Sequence, residues 1–131
     1  MTAARAAVRL AAVADPRPMV VEEDGRHLLA GGRCRPNGHV LNRPVPRCPR
    51  CRGEVAPARF GPDGVVWAVT VVHVPAREGD DVPYTLAYLD LDDGPRLLVR
   101  LDESLAPAHV GARVRLTAST PAGDPAAEVL A

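Results

Sequence analysis

Residues 34–51 read CRPNGHVLNRPVPRCPRC and contain all three cysteines of this 131-residue chain. Cys48 and Cys51 have the spacing with which one tight turn presents two thiolates to a tetrahedral metal ion. In a zinc ribbon a second turn supplies the other two ligands. Cys34 stands where the first cysteine of that turn is expected, but the residue three positions later is Asn37. The stretch therefore predicts two facing hairpins of zinc-ribbon shape with an incomplete set of cysteine ligands.

His39, five residues after Cys34, is the candidate for the missing ligand, because imidazole nitrogen and thiolate sulfur both bind zinc. The predicted metal site thus consists of Cys34, His39, Cys48 and Cys51, with zinc as the expected ion. Two alternatives remain open at this point. The ribbon could have lost its metal and kept its hairpins, or the three thiols could be unrelated.

The charges of the chain argue against nucleic acid as a partner. Sixteen basic and sixteen acidic residues cancel, so no overall field attracts a polyanion. All sixteen bases are arginine, a composition typical of a GC-rich genome. Six of them surround the ribbon and could pair with phosphate or with carboxylates of a partner, or could form a solvated surface. They are Arg33, Arg35, Arg43, Arg47, Arg50 and Arg52.

Three cysteines at ligand spacing, one of them unpaired in any disulfide scheme, predict a reducing compartment. The run AARAAVRLAAVA at residues 3–14 is not a signal peptide, because Arg5 and Arg9 interrupt its apolar character. It predicts instead a short helix that ends at Asp15-Pro16. Since no other stretch approaches membrane-spanning length, the sequence predicts a soluble, cytoplasmic protein.

The remaining pattern is mainly β. Residues 19–29 predict a hairpin with its turn at Asp24-Gly25, and residues 102–109 predict a single helical turn. Five further strands, which fit a small five-stranded barrel of the OB type, are predicted at residues 54–60, 65–74, 84–91, 96–101 and 113–119. The expected organisation is an N-terminal helix and linker (1–18), a zinc-ribbon-like subdomain (19–55), an OB-fold barrel (56–120) and a flexible tail (121–131).

Five strings in this order, LLAGGRCRPNGHV, RPVPRCPRC, GVVWAVTVVHVP, VPYTLAYLDLDDGPRLLVRL and HVGARVRL, resemble the OB-fold acyl-CoA-associated family, formerly a domain of unknown function, which carries a rubredoxin-like zinc ribbon. The resemblance covers about residues 19–119. It implies a non-catalytic partner of a thiolase-like enzyme, an acyl-CoA hydratase or an acyltransferase, in which ribbon and barrel contact the enzyme and help to form an acyl-CoA channel. The family's four ligand positions correspond to Cys34, Asn37, Cys48 and Cys51.

The residues themselves give little support for catalysis, because the four histidines are scattered and form no nucleophile–base arrangement. We therefore expect an accessory subunit of a hetero-oligomer, with an apolar partner surface on the strands at 65–74 and 84–91. For acyl-CoA, we expect the phosphates near Arg47, Arg50 and Arg52 and the pantetheine arm passing Trp67. The alternative is an OB-fold module for single-stranded nucleic acid, which four aromatic residues and zero net charge make weak.

Overall fold

The computed structural model describes residues 15–131, and the helix predicted for residues 3–14 lies outside them. The first sheet is organised around one long strand, β2. Asp24 and Gly25, with φ of 52° and 75°, form the hairpin turn that leads into it. On one edge β2 pairs with β1 and then with β3, and on the other edge with β4. The four strands are β1 (Met19–Glu23), β2 (Arg26–Cys34), β3 (Val40–Leu41) and β4 (Val55–Phe60).

A closed five-stranded barrel follows, in the order β5-β6-β7-β9-β8 that characterises OB folds. Among these barrel strands, β7 and β9 alone pair in parallel, and the other neighbours are antiparallel. The long strand β5 pairs with β6 and β8, and a bulge at Trp67 shifts its register. The barrel strands are β5 (Asp63–Val72), β6 (Tyr84–Leu91), β7 (Arg96–Asp102), β8 (Arg113–Thr117) and β9 (Ala126–Val129).

One hydrophobic core joins the sheet to the barrel. Inward residues alternate along β6 and β7, as in Ala87, Leu89, Leu97 and Val99, all nearly inaccessible to solvent. Leu29 of β2 and Phe60 of β4 belong to the same cluster. The ribbon therefore packs directly against the barrel.

The predicted fold class, zinc-ribbon-like hairpins followed by a five-stranded barrel, is confirmed, but the fifth barrel strand is a different segment. Of the strand predicted at 54–60, Val55–Phe60 pairs with β2, from Leu29↔Phe60 to Cys34↔Val55, and so belongs to the ribbon sheet. The tail predicted to be flexible instead contains β9, whose Ala127 and Val129 are buried between β7 and β8. Alanine has a low strand propensity, so this segment carried only a weak strand signal. Its strand conformation depends on pairing with β8 and with β7, which is distant in the chain.

One smaller prediction also changes. The segment after β7 forms no helical turn. The Glu103 carboxylate instead accepts hydrogen bonds from the Thr85 hydroxyl and from the Ala108 N–H, which fix the loop in a non-helical conformation.

No helix within residues 15–131 has the length and apolar character needed to cross a membrane.

Candidate metal centre and barrel face

The first knuckle begins where β2 ends. The N–H of Cys34 donates to the His39 carbonyl, and the Gly38 N–H donates to the Cys34 carbonyl, each at 2.9 Å. The His39 N–H then points at the Cys34 sulfur, 3.2 Å away. Gly38 has φ of 69°, the left-handed conformation that lets so short a loop close. The loop thus returns His39 beside the thiol that precedes it by five residues.

The second knuckle is closed in the same way. The Cys48 N–H donates to the Gly53 carbonyl at 2.9 Å, and the Arg52 N–H donates to the Cys48 carbonyl at 2.7 Å. A Cβ at Gly53 would lie 2.4 Å from the Pro36 ring and 3.2 Å from the Cys51 sulfur. Only glycine therefore allows the two knuckles to approach so closely.

The four predicted ligands converge. One donor atom each from Cys34, His39, Cys48 and Cys51 lies within 4.8 Å of every other. The Cys34 and Cys51 sulfurs are 3.8 Å apart, and His39 Nδ1 is 3.4 Å from the Cys48 sulfur. Tetrahedral zinc would place such donors roughly 3.6 to 3.8 Å apart. The donor set and its spacing therefore fit one tetrahedral metal ion.

Asn37, three residues after Cys34, occupies the position where a second cysteine was expected. Its side-chain amide has the largest effect on the Cys51 thiolate and the Gly53 N–H the second largest. Together they lower the pKa of Cys51 to about 6. Cys51 is thus largely a thiolate at neutral pH, the form that binds metals. The sequence indicated Asn37 only as a missing cysteine, and the local contact becomes visible once both knuckles are folded.

The predicted acyl-CoA residues lie on two parts of the surface. Arg47, Arg50 and Arg52 are exposed on the second knuckle, whereas Trp67 lies on the outer face of the barrel. A cleft of about 320 Å³ lies at the ribbon–barrel junction, lined by Val45 and Pro49 on the ribbon side and by Pro95 and Arg96 on the barrel side. Arg96 in turn stacks its guanidinium 3.5 Å from the Trp67 ring.

Three large apolar side chains lie next to each other on the outside of β5, β6 and β7. Trp67 meets Tyr88 edge-on, with ring centroids 6.2 Å apart, and Tyr88 pairs across the strands with Leu98. They are 51%, 44% and 42% exposed, respectively. We call Trp67, Tyr88 and Leu98 the apolar face. Trp67 and Tyr88 lie on the strands predicted to carry a partner surface. The outward position of Leu98, between Arg96 and Arg100, could have been predicted from the alternation of RLLVR.

Comparisons with known proteins identify the fold's relatives. A family model described as "ChsH2, C-terminal OB-fold domain" matches residues 58–119. A "DUF35 domain-containing scaffold protein" of Pyrococcus furiosus is 34% identical over 94 residues, which cover 66% of this chain and 68% of the relative. The chain belongs to the DUF35 family. This DUF35 chain is also similar to a solved structure described as "Ltp2-ChsH2(DUF35) aldolase", with a TM-score of 0.62 and 26% identity over 78% of this chain and 84% of the other. The resemblance found in the sequence is thereby confirmed.

Proposed function

We propose that this DUF35 chain is a non-catalytic accessory subunit that binds a thiolase-like enzyme, or a related acyl-CoA hydratase or acyltransferase, and assists binding of its acyl-CoA or acyl-carrier substrate. The observation that carries the proposal is the likeness, over 78% of the chain, to a structure whose description joins a DUF35 protein with an aldolase. The relative from Pyrococcus furiosus, described as a scaffold protein, supports the same role. On the molecule itself, the exposed apolar face offers a surface for such a partner.

We further propose zinc as the metal of the ribbon. Three sulfurs and one imidazole give four protein donors, the closed set of a structural site, which leaves no open position for a substrate. Bound zinc would tie the two knuckles together and hold the ribbon against the barrel. The three free cysteines also support a reducing, cytoplasmic location.

For the acyl-CoA, we propose a path across the junction cleft. Exposed Arg47, Arg50 and Arg52 offer guanidinium groups to its phosphates, and the cleft leads from the second knuckle to Arg96, which lies over Trp67. The same arginines could instead pair with carboxylates of the enzyme. The two roles make opposite predictions for one variant.

That variant is Arg50→Glu, with Arg26→Glu on the distant hairpin turn as its control. We expect the co-expressed complex to remain assembled in gel filtration while its acyl-CoA affinity falls about tenfold, because a charge-assisted contact is lost. If the complex dissociates, these arginines are interface and the phosphate role is wrong. If the wild-type chain co-purifies with none of the thiolase-like, hydratase or acyltransferase enzymes of its source when co-expressed, the accessory role itself fails.

The alternative of a single-stranded nucleic-acid module retains one supporting observation, the aromatic and arginine side chains on the face that OB folds use for ligands. However, the Arg96 and Arg100 guanidinium groups lie 3.5 and 3.6 Å from the Trp67 and Tyr84 rings. A base could stack there only by displacing them. Salt-dependent retention of the chain on single-stranded DNA at physiological ionic strength would favour this alternative.

A further inference from the structure

One edge of the barrel is unpaired at Leu98 of β7, between Arg96, whose carbonyl accepts a hydrogen bond from the Asn42 side chain at 3.4 Å, and Arg100. β6 pairs with the whole strand, from Asp90↔Arg96 to Thr85↔Leu101, but β9 begins its pairing only at Arg100↔Ala126. The Arg100 N–H points toward β9 and donates to the Pro125 carbonyl at 2.9 Å. Because backbone groups alternate along a strand, the N–H and C=O of Leu98 face this same edge. Within residues 15–131 they meet no backbone partner.

A groove lies directly beside this edge. It measures about 250 Å³ and is lined by Leu98, Val99, Pro125 and Pro18, with Tyr84 and Leu86 from the neighbouring strand. Its lining is thus mostly apolar, while the backbone groups at its border are polar and unpaired. An extended peptide satisfies both features at once, since it offers backbone hydrogen bonds at every second residue and side chains between them.

The charges at the rim favour an acidic occupant. Three arginines and two aspartates line the groove. Arg17 is neutralised by Asp15 at 2.7 Å and by Asp124 at 3.1 Å, whereas Arg100 reaches Asp124 only at 3.9 Å. Arg77 is 65% exposed and reaches its only ion-pair partner within residues 15–131, Asp80, at 3.8 Å. A carboxylate entering the groove would therefore find two incompletely neutralised guanidinium groups, those of Arg77 and Arg100.

We propose that this edge receives an extended segment of the partner subunit, which adds as a strand beside β7, places an apolar side chain in the groove and sets a carboxylate against Arg77 or Arg100. The inference rests on the proposed function, because the segment belongs to the enzyme that the chain accompanies. A protein partner fits better than one extended small-molecule ligand, since the apolar face continues from Leu98 across β6 to Trp67. A body wide enough to cover three strands is needed to bury it.

Amide hydrogen exchange on the full chain tests the open edge first. In the free protein the Leu98 amide should exchange rapidly, while the neighbouring amides of Leu97 and Val99, which face β6, are protected. Protection of Leu98 equal to that of Val99 would mean that the edge is already covered, and would overturn the proposal. Protection that grows with protein concentration would show a second copy in the groove and overturn it equally.

A titration then tests the occupant. The probe is a blocked hexapeptide in which valines alternate with aspartate and glutamate, compared with the same peptide carrying lysines in place of the acids. We expect the acidic peptide to protect the Leu98 amide and to bind at least about tenfold more tightly than the basic one. Equal binding of the two peptides, no binding of either, or protection of Leu98 by acyl-CoA but by neither peptide would overturn the proposal.

Two substitutions at one position separate strand addition from side-chain contact. Leu98→Pro removes an N–H that faces away from β6, so the barrel ladder is kept, whereas Leu98→Ala keeps the N–H and removes the side chain. Peptide binding, and assembly with the co-expressed enzyme, should fall at least about tenfold more in Leu98→Pro than in Leu98→Ala. If Leu98→Pro assembles as well as wild type, the docking mode is wrong while the accessory function stands. If wild-type chain binds the peptide and no enzyme, the accessory function fails separately.

Discussion

At the scale of single residues, the candidate metal centre has a histidine in place of a fourth cysteine, and a nearby asparagine acts on one of the thiols. The imidazole of His39 lies among the three thiols, and the amide of Asn37 faces Cys51 from an exposed position. Three thiolates and a neutral imidazole would leave bound zinc with one net negative charge rather than two.

The proposed ligand role of His39 leads to a direct prediction. His39→Ala should lower the zinc content of protein purified without chelator from one equivalent to well below one, because an open coordination position weakens binding. The same loss should destabilise the ribbon by several kcal/mol, since metal affinity contributes to folding free energy. Elemental analysis and thermal unfolding measure both effects, with His27→Ala as control. Equal zinc in the two variants would remove His39 from the ligand set, and no zinc in the wild type would end the zinc proposal.

Gly31, in the middle of β2, permits a close approach that no other residue allows. A Cβ there would lie 2.4 Å from the Leu41 carbonyl oxygen and 2.9 Å from the Phe60 ring. Gly31→Ala should therefore lower the free energy of unfolding by about 1 to 3 kcal/mol, because β3 and Phe60 must both shift. Urea unfolding compares it with Arg26→Ala, an exposed position of the same strand. Equal urea midpoints for the two variants would show that β3 and Phe60 can move to accommodate a Cβ at Gly31 without loss of stability.

At the scale of strands, β4 and β9 both differ from the roles that local pattern assigned to them, a barrel strand and a flexible tail. β4 extends β2 and delivers Phe60 into the shared core, while the short β9 closes the barrel between β7 and β8. The C-terminal segment is thus structural. Closure removes the free edges that would otherwise remain along β8 and the end of β7.

This assignment of β9 predicts a contrast between two adjacent residues. Val129 is 1% exposed, so Val129→Ala should lower the free energy of unfolding by about 2 kcal/mol through lost apolar burial and the cavity left behind. Glu128→Ala, on the opposite face of the same strand, should change it far less. Chemical denaturation of both variants measures the difference. Equal, small effects would mean that the barrel closes without this strand.

At the scale of the whole molecule, the barrel exterior is bound together by arginine–aspartate pairs that join different strands. Arg96 pairs with Asp90 at 2.7 Å, Arg113 with Asp92 at 2.6 Å and Arg115 with Asp63 at 2.8 Å. The hydrogen bond from Arg96 lowers the pKa of Asp90 below its usual 3.8, and Arg113 lowers the pKa of Asp92 in the same way. These exposed pairs are individually weak, so their effect is expected mainly as a dependence of stability on pH.

The sign of that dependence follows from the lowered pKa of Asp90. Its contribution is fully present above the unfolded-state value of 3.8 and is lost as pH falls through the lower folded-state value. Asp90→Asn should therefore be less stable than wild type at pH 7, and the gap should narrow below about pH 4. Urea midpoints across this range measure it, with Asp81→Asn in the exposed loop as control. A gap that stays constant or widens in acid would contradict the assignment.

The sequence alone determined the β-rich class, the hairpin at Asp24-Gly25, the Cys48–Cys51 knuckle and the family resemblance, because each rests on local spacing, alternation or turn chemistry. It also pointed to His39, since few residue types bind zinc. Only the tertiary structure decided which strands close the barrel, because β4 and β9 are chosen by pairing with segments distant in the chain. The contact of Asn37 with Cys51 and the open edge at Leu98 were decided in the same way. Which groups come into contact, and which backbone groups stay without a partner, is settled only after all the strands have paired. Neither feature can therefore be predicted from local sequence.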